Sequence, residues 1–344
     1  MRRSLVLSGV IASALVLSSC TTGNAEETVT PSQDIETPEL PAGEAPSVVV
    51  TTTVLGSVVG DILTCAVGDD SSMTVLMPVG ADPHDFQASS AQGAQMAAAD
   101  LVVANGLGLE EGVLDALENV RADGVSVIEI APLVDPLPFG EASEAHSDHD
   151  HDHDHSDEGA TDEDEHDHGD FDPHFWLDME RMAMAATLIG AELAGASGAD
   201  FEDCGEQVAQ AILQAEADVA ASLASVPETR RVLVTDHDAL GYLADRYGYE
   251  VVGVVIPGGS TLGDPNSQEL ASLVSVIQAE QVPAIFGDVS GATDLLETLS
   301  AEVGGEIQVV ELFVGSLGGP GSGAESYVEM MTTNASRIAQ ALAD

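Results

Sequence analysis

Short β-branched runs alternate with helical stretches along nearly the whole chain, and that alternation limits the fold more than any other feature. Val48-Val49-Val50-Thr51-Thr52-Thr53 reads as a strand, and 54–66 as a helix with apolar positions three and four apart. Strands are expected again at 73–77, 101–104 and 125–129, with helices at about 91–98 and 111–120. The pattern breaks at Pro132, Pro136 and Pro138 and resumes after Pro227. There the expected strands are 232–235, 250–255, 283–286 and 307–312, and the helices 238–247, 267–279, 292–302 and 324–342. Strands separated by helices predict parallel sheets covered by helices. Between the halves, 200–225 has Ala, Leu, Glu and Gln at helical spacing, no proline, and glycine only at Gly205, so it reads as one long connecting helix. The expected fold is α/β: two lobes, each a parallel sheet flanked by helices, joined by one long linking helix. In open α/β sheets, sites form beyond the carboxyl ends of the strands, which places a ligand cleft between the lobes.

A length of 344 residues suits about two domains. Asp and Glu number 60 against 8 basic residues, all Arg, for a net charge of −52. Such a surface repels phosphate backbones and anionic lipid headgroups. Nucleic-acid binding and polybasic membrane attachment are excluded, and cations are the natural partners. A hydrophobic content of 44% supplies a core, and 3% aromatics means that core is built from Ala, Val, Leu and Ile.

At the start, Arg2 and Arg3 precede an apolar run from Leu5 to Leu17, then Ser18-Ser19-Cys20. This is the layout of a secretory signal peptide, too short for a membrane span of ~20 apolar residues. Leu17-Ser18-Ser19-Cys20 resembles the bacterial lipobox, in which the cysteine is lipidated and becomes the mature N-terminus. The alternative is a secreted protein with an incidental Cys20. The expected organisation is a signal peptide (1–19), a flexible linker (20–46), an N-terminal lobe (47–180), a helical connection (181–230) and a C-terminal lobe (231–344). The mature protein is then expected outside the cytoplasm, lipid-anchored to the cell membrane on its outer face or periplasmic side. Two further cysteines remain, Cys65 and Cys204. In an oxidising compartment an even pair favours a disulfide, and two separately buried thiols are the alternative.

The ten histidines are unevenly spread. Seven fall in a short stretch: His146, His149, His151, His153, His155, His166 and His168. Their segment, 141–170, has no apolar periodicity and reads as a disordered surface loop. Alternating imidazole and carboxylate is a compositional metal-binding signal, and the loop is expected to bind divalent metal weakly at several sites. The bland alternative is a solvated acidic tract, and five histidines within 146–155 argue against it. The remaining three are His84, His174 and His237. His84 follows the strand at 73–77; a lone histidine there is more often an ordinary loop residue. His174 sits in Asp172-Pro173-His174-Phe175-Trp176-Leu177-Asp178 beside the single tryptophan. His237 follows the strand at 232–235 and faces the expected cleft, with Asp236 and Asp238 placed to orient its ring. Three histidines converging from both lobes would suit Zn²⁺, which prefers N and S ligands in tetrahedral geometry.

These residues carry a family resemblance. From about 47 to 344 the chain resembles the metal-binding solute-binding lipoproteins of bacterial ABC importers, in the zinc and manganese family. The carriers are Asp82-Pro83-His84-Asp85-Phe86, the Asp172–Asp178 stretch, Val232 to Ala239 with Gly241-Tyr242, and Ser326-Tyr327-Val328-Glu329-Met330-Met331. The resemblance implies a monomer with a rigid linking helix that holds one metal between two lobes. It implies delivery to an ABC permease with its ATPase subunit, no catalysis, and contact with the membrane through the lipid anchor only. His84, His174 and His237 fall on the family's first three ligand positions. Manganese members often carry Glu at the third, adding hard oxygen character. His237 and the His-rich loop therefore point to the zinc-uptake branch, with Zn²⁺ as cargo and Mn²⁺ as the alternative.

One departure stands out. The family supplies a fourth, acidic ligand in a stretch like aromatic-x-Asp-Ser-Leu, and here the residues are Phe313-Val314-Gly315-Ser316-Leu317. Gly315 has no side chain to coordinate with. Asp288, at an expected strand end, is the candidate replacement; water at the fourth position, or a capping or ion-pairing role for Asp288, are the alternatives. Outside this class, a three-histidine zinc hydrolase would use a metal-bound water of pKa ~7, but the chain has no HExxH motif and no second acid/base constellation. An adhesin on the same scaffold is a third reading.

Overall fold

The computed structural model describes residues 45–68, 71–139, 171–197, 200–263, 265–291, 293–304 and 307–343. The expected signal peptide, Cys20 and linker, and the segment 141–170 with its seven histidines, lie outside the described residues. What is described belongs to one unit of chain contacts beginning at Thr37.

Strands β1 (Ser47–Val50), β2 (Ser72–Val75), β3 (Leu101–Ala104) and β4 (Ser126–Glu129) form a parallel sheet in the order β2-β1-β3-β4. A second parallel sheet repeats that order as β6-β5-β7-β8, from β5 (Val232–Thr235), β6 (Glu250–Val254), β7 (Ala284–Asp288) and β8 (Gln308–Leu312). Its central strands β5 and β7, like β1 and β3, are almost wholly apolar and buried, as strands covered on both faces must be. In each sheet the strand order reverses between the first and third strands, which opens a crevice beyond their carboxyl ends.

The helices α1 (Thr53–Val67), α2 (Ser90–Ala97) and α3 (Leu114–Ala122) serve the first sheet. The strand expected through Thr53 stops at Val50 instead, because the Thr52 side chain accepts the Leu55 N–H and caps α1. Local capping overrides the β preference of the threonine run. Helices α6 (Gly241–Tyr247), α7 (Ser267–Glu280) and α8 (Thr293–Val303) serve the second, and α9 (Tyr327–Leu342) closes the chain behind a Ser326/Glu329 capping box.

Between the sheets there are two helices rather than one: α4 (Met179–Ser197) and α5 (Phe201–Ala224). They pack backbone to backbone, for a Cβ on Gly190 would lie 2.7 Å from Gly205 Cα, and one on Gly205 2.7 Å from the Ala186 carbonyl oxygen. Gly205 is thus a contact surface within a helix. Cys65 of α1 and Cys204 of α5 are bridged, with Cα atoms 5.7 Å apart. One apolar core runs from Val50 and Leu55 through Trp176, Met182 and Ile189 to Leu233, Phe286 and Tyr327, so both sheets share it. Among the described residues no helix is long and apolar enough to cross a membrane.

Candidate metal centre

Each of the three histidines is set by an aspartate just before it. His84 lies on the loop after β2, and its N–H donates to Asp82 Oδ1 (2.9 Å). His174 precedes a 3-10 turn at Phe175–Leu177. Its N–H donates to Asp172 Oδ1 (2.9 Å), and the same oxygen lies 2.7 Å from its Nδ1. His237, two residues past β5, donates its N–H to Asp236 Oδ1 (2.9 Å), with Nδ1 3.0 Å from that oxygen. Two of these are Asp-Pro-His. Proline fixes φ and has no N–H, so the Asp side chain reaches past it to the next amide in an Asx-type turn. Asp-Pro signals a turn; it was the available clue to the roles of Asp82 and Asp172, which the sequence reading left unassigned. Of the two neighbours expected to orient His237, Asp236 is the one that holds Nδ1.

The three rings converge. His84 Nε2 and His174 Nε2 are 3.2 Å apart. Ring centroids are separated by 5.3, 5.5 and 5.2 Å, and one ligand atom from each residue lies within 4.8 Å of the others. All three side chains are at most 2% exposed. With Zn–N bonds of about 2.0–2.1 Å, tetrahedral nitrogens stand about 3.3 Å apart. The His84–His174 pair is already at that spacing, and closing the widest separation, at most 4.8 Å, by up to about 1.5 Å suits a single small cation.

Burial dominates the protonation of this group. It pushes Asp172 up to about 8, against the opposing pull of the His174 N–H and of His237. Burial first, then the charge on His237, hold His174 well below its ordinary value. Asp172 and His174 are therefore neutral as a pair. When the pair gives up one proton, the Asp172 proton passes to Nδ1, the Nε2 proton leaves, and the Nε2 lone pair faces the cluster while Nδ1–H donates to the carboxylate. For His237 burial again acts downward, but the charge and hydrogen bond of Asp236, helped by Asp288 and Asp82, raise it to about 9.

Asp288 ends β7 and is not brought into this group. Its Oδ2 accepts from Gly315 N–H (2.9 Å) and the Ser290 hydroxyl (2.6 Å), and its Oδ1 from Val314 N–H (3.2 Å) and Ser290 N–H (3.3 Å). A Cβ on Gly315 would lie 2.7 Å from Pro83 Cδ and 3.0 Å from Asp288 Oδ2. Residue 315 thus has no room for a side chain, and the Asp288 carboxylate stands against that spot. The flanking backbone is fastened to the first lobe: Trp176 Nε1–H donates to Val314 O (2.9 Å), Gly80 N–H to Ser316 Oγ (2.8 Å) and Leu317 N–H to Thr53 Oγ1 (3.0 Å).

A further anchor went unnoticed in the sequence. Asn105, just past β3, donates from Nδ2 to Pro173 O (2.9 Å), while buried Glu110 accepts the Asn105 and Gly106 N–H groups and the Thr51 hydroxyl. The crevice of the first sheet thereby grips the segment that carries His174. Beside the cluster, a cavity of about 440 Å³ opens between the lobes, lined by His84, Pro173, Leu114, Phe139, Ser260 and Leu262.

This site sits in a recognisable protein. A family model described as zinc-uptake complex component A, periplasmic (ZnuA), matches residues 48–341. The chain belongs to this family. Among its relatives, the zinc-binding protein TroA of Treponema pallidum is 29% identical over 311 residues, 88% of this chain and 91% of that one. The manganese-binding lipoprotein MntA of Halalkalibacterium halodurans is 27% identical over 281 residues, 81% and 83% of the two chains. The structure of periplasmic TroA from Treponema pallidum matches with a TM-score of 0.70 at 27% identity, across 87% of this chain and 100% of that one. As a ZnuA-family chain it is a substrate-binding protein of a metal ABC transporter.

Proposed function

We propose that this protein captures Zn²⁺ outside the cytoplasm through His84, His174 and His237 and delivers it, as a lipid-anchored monomer, to an ABC permease and its ATPase. The relatives include both zinc-binding and manganese-binding proteins, so the cargo has to be argued from the donor atoms. The observation that carries the choice is the grouping of three imidazoles within 4.8 Å, with no carboxylate oxygen in the group among the described residues. Imidazole suits zinc, whereas manganese favours carboxylate, carbonyl and water. The fourth position falls to water, or to Asp288 once its carboxylate leaves the 314–315 amides.

Competitive zinc titration of residues 21–344, beside a form lacking 141–170 and a His84→Ala variant of each, tests the reading. One tight site that survives the deletion and is lost in His84→Ala is the expected result. Tight binding that disappears with 141–170 and is indifferent to His84 would reassign the protein as a zinc buffer, and preferential retention of Mn²⁺ would overturn the cargo. Asp288→Asn decides the fourth donor. A loss comparable to that of His84→Ala makes Asp288 a ligand, and a loss below tenfold leaves water there.

A further inference from the structure

We propose that Tyr242, supported by Gly241, is the positioning element that sets His174 against His237. The inference rests on the reading that the three histidines hold the metal. Tyr242 lies on α6, five residues past His237, and is fully buried. Its hydroxyl donates to the Asp172 carbonyl (2.8 Å) and accepts the Leu137 N–H (3.0 Å). Asp172 N–H in turn donates to Leu137 O (2.8 Å), and Pro138 pairs with Phe171 in an antiparallel bridge. The phenol therefore fastens the two strands of chain that border 140–170, at the point where the second of them becomes the His174 segment. Its ring is itself held, with the Arg181 guanidinium 5.0 Å from the ring centroid.

Gly241 fixes the other end of the same residue. A Cβ there would lie 2.9 Å from Asp172 Oδ2. Asp172 is thus gripped at its carbonyl by Tyr242 and packed at its carboxylate against Gly241, while Oδ1 holds both the N–H and the Nδ1 of His174. Through these two adjacent residues, the element that follows one ligand dictates where another stands. Partners at this remove from a metal tune it by orienting the ligand ring.

The test compares Tyr242→Phe with Tyr249→Phe in the full chain, purified in detergent. Tyr249 also donates from a buried hydroxyl to a backbone carbonyl, that of Leu223 (2.9 Å), with no link to the histidines. Both variants are expected to melt at a lower temperature. Only Tyr242→Phe should weaken zinc by about tenfold, the lower end of such indirect effects, and shift the visible absorption of the Co²⁺-loaded site. Gly241→Ala gives an independent arm, since its methyl meets Asp172 Oδ2, and the same Co²⁺ shift is expected. Zinc affinity and Co²⁺ spectra of Tyr242→Phe and Gly241→Ala that match Tyr249→Phe would overturn the inference while leaving capture intact. A parent chain with no tight site dependent on His84 would remove the capture reading and this inference together.

Discussion

At the residue scale the site is a set of aspartate–histidine pairs whose protons a cation must displace. At pH 7 His237, raised to about 9, is an imidazolium, and Asp172, raised to about 8, holds a proton beside His174. Zinc capture should therefore release between one and two protons at pH 7, and affinity should rise with pH up to about 9. Calorimetry in buffers of different ionisation enthalpy measures the release, and a value of zero would contradict it. Because the folded value for His237 lies above the ordinary 6.5, its charge stabilises the metal-free fold below about 6.5, a contribution lost as pH rises toward 9. Asp236→Asn should cost about 10–100-fold in zinc affinity by releasing the His237 ring. Gly315→Asp, by contrast, restores the family's acidic residue without restoring a ligand. Its side chain meets Pro83 and Asp288, so we expect a destabilisation of about 1–3 kcal/mol and no gain in manganese affinity. A tighter manganese complex in that variant would show that the lobes have slack there.

At the element scale, what the sequence disclosed and what it hid have separate physical causes. The eight strands of the described residues were legible because central parallel strands are continuous β-branched runs. Their ends were not, since Thr52 serves as a helix cap. Helix α4 escaped notice as a separate element because it is buried on several sides, from Met179 and Met182 to Ala186 and Leu193. That burial blurs the apolar stripe a surface helix shows. The three histidines were conspicuous, yet nothing in the intervals between 84, 174 and 237 says that they meet; the family pattern did. Asp288 was a candidate fourth donor, with a capping or ion-pairing role as the alternative, and four donors hold its carboxylate against 314–315 and Ser290. The helix pair gives a direct check. Gly205→Ala puts a methyl 2.7 Å from a carbonyl oxygen of α4 and should cost about 1–3 kcal/mol in chemical denaturation; a neutral result would mean that α4 and α5 can part without loss.

At the scale of the whole molecule, the two lobes repeat one strand order around a shared core and are joined across the cleft by several hydrogen bonds. Asp82 Oδ2, on the loop of His84, accepts the Thr261 hydroxyl (2.6 Å), and Tyr327 OH donates to Trp176 O (2.7 Å). Capture should therefore involve small local shifts rather than a wide hinge motion, and small-angle scattering with and without zinc should give superimposable curves. The Cys65–Cys204 bridge spans 139 residues, a separation worth about 5 kcal/mol in the chain-entropy account. Such a bond closes only where oxidants prevail over the thiol pool of the cell interior. The chain thus carries its own record of where it has been: a copy stranded in the cytoplasm keeps two thiols and a looser grip between α1 and α5. On the proposed extracytoplasmic role, the bridge closes only after export.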